Sequence, residues 1–208
     1  DLGPLGAAIN IAGLRHQLTL LKDMGCNAIR TTHNMPDPNL VRLCDEMGFM
    51  MMVEPFDEWD VAKCENGYHR WFNQESDIKG MTWAERDMLS MLHQWRNNPS
   101  VVMWSVGNEV PTQRTEGGYK VVHFLQDICH REDPTRVCTS GINFTTAAMS
   151  NGFADALDIA GLNYHTHKTY FHMKDATHSN VVIGSETAST VSSRGVYSLD
   201  TSLKFHLI

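Results

Sequence analysis

Short unbroken apolar runs alternate along this chain with longer stretches in which apolar and polar residues recur every three or four positions. Val101-Val102-Met103-Trp104-Ser105-Val106 is apolar except for Ser105 and rich in β-branched and aromatic side chains. That is the pattern of a strand buried on both faces, as in a parallel sheet. Pro99 and Gly107 punctuate its ends. Similar runs predict strands over 27–30, 49–53, 137–140, 158–162 and 181–184. Helical spacing predicts helices over 9–25, 39–47, 77–98 and 116–131, with a helical or turn segment over 145–156. In the first, Ile11, Leu14, Leu18 and Leu21 share one side, and Gly25 supplies a C-terminal cap. Residues 55–76 read as one long aromatic loop carrying Phe56, Trp59, Tyr68, Trp71 and Phe72; loops of that length are usually functional.

A leading helix followed by six strands with intervening helices or loops implies an α/β fold with parallel pairing. No glycine-rich phosphate loop follows any strand, which argues against a nucleotide-binding doubly wound sheet. A closed (β/α)8 TIM barrel takes about 250 residues. Six strands in 208 residues fit such a barrel truncated at both ends, its first and last strands missing. Residues 1–208 are therefore expected to form a single catalytic barrel domain, a fragment of a larger multidomain protein.

Composition narrows the function. With 42% hydrophobic and 20% charged residues the chain is of ordinary globular type. A net charge of −7 with no basic run argues against a nucleic-acid partner. The longest wholly apolar run, 49–53, is far too short for a membrane span. Five cysteines without CxxC spacing fit neither a disulfide framework nor a structural zinc site. No targeting segment is read within residues 1–208, so periplasmic, secreted and cytoplasmic locations all stay open.

The chemistry is expected at strand ends. Asn108 and Glu109 follow one buried strand and Glu186 follows another. In a parallel barrel the carboxyl ends of the strands open on one mouth. Paired carboxylates across a bond are what glycoside hydrolysis requires, one protonating the leaving oxygen and the other attacking the anomeric carbon or activating water. Asn108 is placed to bind a sugar hydroxyl, and mouth aromatics suit the apolar face of a sugar ring. Trp59 has two readings, a sugar platform or an anchor for its loop, and Asp60 is a candidate hydroxyl contact. Glu54 contacts substrate or, the preferred reading, holds Arg30. Arg30 is either a site residue or a charge bridging neighbouring strands at their bases. By itself His33 reads as a loop histidine and Tyr164 as a half-buried tyrosine. The run Met50-Met51-Met52 is a buried strand, not a metal or redox box. His165 and His167, two apart on an extended chain, permit a metal pair, so a metal-dependent hydrolase is the rival enzyme class.

Three stretches carry a family resemblance. Asn27-Ala28-Ile29-Arg30-Thr31-Thr32-His33-Asn34-Met35-Pro36 resembles a signature of glycoside hydrolase family 2, the β-galactosidase, β-glucuronidase and β-mannosidase family. Trp104-Ser105-Val106-Gly107-Asn108-Glu109 resembles its acid/base signature, and Ile183-Gly184-Ser185-Glu186-Thr187-Ala188 its nucleophile strand. The three occur in the family's order across most of the chain. The resemblance implies a retaining mechanism on a (β/α)8 barrel, with Glu109 as acid/base after the fourth strand and Glu186 as nucleophile after the seventh. Counting one missing first strand, the strands read above place both glutamates at those ends. It further implies that Asn108 contacts the sugar 2-hydroxyl, that Arg30 and His33 line the site, and that Tyr164 hydrogen-bonds the nucleophile. No cofactor and no metal are implied.

The expected substrate is an oligosaccharide or glycoside, with a terminal β-galactoside first. The loop 57–60 and the tail 189–197 resemble those of bacterial β-galactosidases. The alternatives are a β-glucuronidase, for which Lys168 is the nearby cation, a β-mannosidase, or an inactive sugar-binding barrel fragment. Flanking β-sandwich domains are expected in the full-length protein.

Overall fold

The computed structural model describes residues 5–188. The elements run in the order α1 (Ile11–Asp23), β1 (Ala28–Arg30), α2 (Pro38–Met47), β2 (Met50–Val53), α3 (His69–Phe72), α4 (Trp83–Trp95), β3 (Val101–Asn108), a 3-10 turn (Pro111–Arg114), α5 (Tyr119–Glu132), β4 (Val137–Ile142), α6 (Thr145–Ser150), β5 (Ile159–Asn163), α7 (Thr166–Ala176) and β6 (Val182–Glu186). All strand pairs are parallel, and the sheet order is β1-β2-β3-β4-β5-β6. Sequential parallel strands joined through helices are the arrangement of a (β/α)8 barrel, of which the described residues supply six strands. Among the described residues no helix is long and apolar enough to cross a membrane.

Local chemistry sets the helix ends. The side chain of Asn10 accepts from the Gly13 amide, and Asp37 accepts from Asn39 with Pro38 opening α2. Gly48, at φ 74°, closes α2 in the left-handed region. The helix expected from residue 77 starts at Trp83, because Thr82 caps the Glu85 amide and Glu75 bridges Thr82 across an intervening turn. The helix expected from 116 starts at Tyr119, after Gly117 at φ 80°. The long loop contains α3, and the buried Glu58 carboxylate organises it by accepting the backbone N–H groups of Lys63, Cys64 and His69.

The core lies between the sheet and its helices. Met51, Val53, Trp104, Val106, Cys138 and Leu162 face Val41, Leu43, Met88, Met91, Leu92 and Leu125. The expectation that β3 is buried on both faces holds for its carboxyl half only: Val102 is 44% exposed, and Met50 beside it on β2 is 42% exposed. Both belong to the inner face of the curled sheet, where β1 and β6 are not hydrogen-bonded neighbours. A cavity of about 310 Å³ opens there, lined by Ala28, Met50, Met52, Val102, Gly184 and Ser185 among others.

Candidate active site

The carboxyl ends of the strands converge on one polar cluster. Arg30 ends β1, Glu54 follows β2, Asn108 ends β3 with Glu109 after it, Asn163 ends β5 with Tyr164 after it, and Glu186 ends β6. Parallel strands make this convergence unavoidable, since all their carboxyl ends point the same way.

Arg30 is the hub. One guanidinium nitrogen donates to Glu186 Oε1 at 2.7 Å, and the other to Glu54 Oε2 at 2.8 Å and Asn108 Oδ1 at 2.9 Å. It sits at the mouth, so the reading of it as a brace at the strand bases does not hold. Glu54 is fully buried and holds three partners: Arg30, Ser105 Oγ, and His33 Nδ1 at 2.7 Å. Its part is to hold Arg30 and His33. His33 Nε2 lies 3.2 Å from the amide nitrogen of Asn108 and 3.8 Å from Glu186 Oε1. An Nδ1–H tautomer satisfies both its neighbours, donating to Glu54 and accepting from Asn108.

Asn108 is buried, and its amide is fully engaged. The oxygen accepts from Arg30 and from Asn163 Nδ2 at 3.0 Å, while the nitrogen faces His33 and donates to Asp57 Oδ1 at 3.0 Å. Asn163, which sequence reasoning passed over, is fully buried. Its amide donates to both Asn108 Oδ1 and Glu109 Oε1, each at 3.0 Å, and accepts from Ser185 Oγ at 2.7 Å. It thereby ties the residues before the two glutamates to one another.

The two glutamates differ in their surroundings. Glu109 receives one hydrogen bond, from the neutral Asn163 amide, among the described residues. Glu186 has both oxygens held, one by Arg30 and the other by the Tyr164 hydroxyl. Burial alone would raise the Glu186 pKa, but the hydrogen bonds from Arg30 and Tyr164 outweigh it and hold the carboxyl below its ordinary value. The hydrogen bond to Glu186, with burial, pushes the Tyr164 phenol up to about 12, so it stays a donor. Glu109 at φ 46° and Tyr164 at φ 65° both occupy the left-handed backbone region, a strained setting for residues with a Cβ that gathers at functional sites.

The structure chooses between the two readings of Trp59. Trp59 is fully buried, its Nε1 donates to Val106 O at 2.9 Å, and its ring packs against Phe153 at 5.7 Å. No face is left for a sugar, so it anchors its loop. Asp60 accepts from Thr112 Oγ1 at 2.7 Å and so joins two loops. His165 and Thr166 open α7, so the extended geometry that would align 165 with 167 is absent. The side chains of His167 and Lys168 and the tail 189–197 lie outside the described residues. Among those described, one set of metal-ligating side chains gathers, His130, Cys138 and Asp158, at the amino ends of β4 and β5, opposite the mouth.

Comparison with known proteins gives a consistent answer. Residues 4–203 match the family profile described as "Glycosyl hydrolases family 2, TIM barrel domain". The chain is 33% identical over 240 residues to the β-galactosidase BoGH2A of Bacteroides ovatus, covering 99% of this chain and 27% of that protein. It is 33% identical over 201 residues to a putative β-glucuronidase of Formosa agariphila, covering 96% and 17%. It thus spans about a quarter or less of these relatives' lengths. A solved glycosyl hydrolase family 2 member from Bacteroides cellulosilyticus superposes with a TM-score of 0.77 at 30% identity, over 90% of this chain and 23% of that one.

Proposed function

Since this chain belongs to glycosyl hydrolase family 2 through its TIM-barrel domain, we propose that it is the catalytic domain of a longer retaining glycosidase that removes terminal β-galactosides. The observation that carries the reading is the unequal setting of Glu109 and Glu186. Glu186, gripped by Arg30 and Tyr164, is kept as the anion a nucleophile must be. Glu109 accepts from the neutral Asn163 amide and forms no ion pair among the described residues, which leaves it the acid/base part.

The reaction then runs in two displacements. Glu109 protonates the glycosidic oxygen while Glu186 attacks the anomeric carbon, forming a glycosyl ester and releasing the aglycone. Glu109, now the base, takes a proton from water, which attacks the same carbon from the opposite side and frees Glu186. Two inversions leave the anomeric configuration unchanged. A relative aligned over 99% of the chain bears the name β-galactosidase, which supports the choice of sugar; another, aligned over 96%, bears the name putative β-glucuronidase, the competing choice.

The test uses the full-length protein and p-nitrophenyl β-galactoside. Nitrophenol release with retention at the anomeric carbon by NMR, and a loss of roughly 10⁴-fold in Glu186→Gln, are the expected results. Equal rates for variant and parent would remove Glu186 from the chemistry.

A further inference from the structure

We propose that Asp57 receives a hydroxyl of the terminal sugar and, with Lys63 locked to it, makes this mouth select a neutral hexoside over a hexuronide. The proposal deepens the glycosidase reading and rests on it.

Asp57 is placed by anchored neighbours. Phe56 O accepts the Asn108 amide at 3.0 Å, the Glu58 carboxylate closes the loop onto three backbone N–H groups, and Trp59 is wedged under Val106. Gly107 makes room for that wedge, since a Cβ there would come within 2.6 Å of Trp59 Nε1. These contacts fix the backbone on both sides of Asp57 and aim its side chain at the cluster. Asp57 Oδ1 accepts from Asn108 Nδ2 at 3.0 Å and from Lys63 Nζ at 2.6 Å. Asn108 in turn touches His33 and Arg30, the latter bonded to Glu186. The carboxylate is 44% exposed, and its Oδ2 has no partner among the described residues.

Hydrogen-bonding capacity decides the rest. Asn108 has no position left for a hydroxyl without giving up a partner. Beside it, Asp57 Oδ2 is an acceptor left open among the described residues, on a side chain bonded through Oδ1 to Asn108. An ionised carboxylate accepts only, so it suits a sugar O–H and repels a sugar carboxylate. Lys63, the ammonium beside Asp57 among the described residues, is spent on Asp57 and on Asn108 O at 3.3 Å. A hexuronide would bring a second anion to a place where the ammonium is already matched by Asp57.

The experiment measures binding and turnover separately, on the full-length protein and its Asp57→Ala, Asp57→Asn and Lys63→Met variants. Calorimetric titration with D-galactose and with D-glucuronate reads binding. Hydrolysis of p-nitrophenyl β-galactoside, its monodeoxy analogues and p-nitrophenyl β-glucuronide reads turnover. Galactose binding and kcat/KM on the galactoside should fall about 10- to 100-fold in Asp57→Ala. One monodeoxy galactoside should be poorer than the parent sugar by a like factor and should lose nothing further in that variant, a non-additivity that a merely structural role would not give. Asp57→Asn should narrow the preference for galactose over glucuronate. Unchanged galactose binding in Asp57→Ala overturns the proposal, as does strong glucuronidase activity abolished by Lys63→Met. Asp57-dependent galactose binding without any hydrolysis would uphold the proposal and sink the glycosidase reading instead.

Discussion

The Tyr164 hydroxyl donates to Glu186 Oε2, the oxygen that Arg30 leaves free while it holds Oε1 at 2.7 Å. Both oxygens of one carboxylate are thus served by donors from separate strand ends, and the anion is favoured over the acid.

Removing one donor should show in the pH profile. In Tyr164→Phe the Glu186 anion loses a hydrogen bond, so its pKa rises. Because the anion is the reactive form, the acid limb of kcat/KM should move to higher pH, and the plateau should fall about 10- to 100-fold. An acid limb at the parent's position would show that Tyr164 does not tune Glu186.

Arg30→Met should cost stability as well as activity. Glu54 is fully buried, and losing its cation leaves a buried carboxylate without a charge partner, which costs about 3–5 kcal/mol. Denaturant unfolding of variant and parent measures the difference. Arg30→Lys should recover little, since a single ammonium does not reproduce the planar fork that reaches Glu54, Glu186 and Asn108 together.

Glu58 predicts a pH window for the loop. Burial alone would raise its pKa, but the backbone N–H groups of His69, Cys64 and Lys63 outweigh this and bring it down to about 2 from 4.5. A depressed carboxylate contributes stability that is complete above its unfolded pKa and is lost as pH falls through the folded one. That contribution is at most about 3 kcal/mol. The stability gap between parent and Glu58→Gln should therefore be widest above 4.5 and close toward 2. Gly67→Ala should weaken the parent in the same way, because its Cβ would meet Glu58 Oε2 at 1.8 Å. A gap that stays constant with pH would contradict the assignment.

Gly107→Ala tests the Trp59 anchor. A Cβ 2.6 Å from the indole nitrogen must push the ring off Val106 O. Overpacking of this kind costs about 1–3 kcal/mol, and the loop bearing Asp57 should loosen with it. Near-ultraviolet circular dichroism and KM should both change, whereas an unaltered tryptophan signal would mean that the ring has room to spare.

The strands were legible because their outward faces pack under helices and must be apolar, so runs such as Val101 to Val106 stood out. The last residues of those strands were harder to read. β3 extends through Gly107 to Asn108, since the barrel mouth accepts polar side chains that satisfy one another. Glu109 and Glu186 were legible as carboxylates after strands, and Glu54 as the partner of Arg30. Asn163 carries the same signal as Asn108, a polar residue closing an apolar strand, but no carboxylate follows it to mark the strand end as reactive. Trp59 was ambiguous because an indole serves equally as a sugar face or a buried wedge, and only the position of Val106 O decides between them. The exposure of Val102 and Met50 depends on which strands complete the ring, and their local sequence holds no information about that.

β1 and β6 stand at opposite ends of the sheet order, yet Arg30 on the first grips Glu186 on the last. The charge proposed to attack the sugar is therefore also a fastener between the two rims of the hoop. In the proposed mechanism an esterified Glu186 would carry no charge for Arg30 to hold, so the hoop's fastening would slacken in the glycosyl-enzyme and tighten again once water set the carboxylate free.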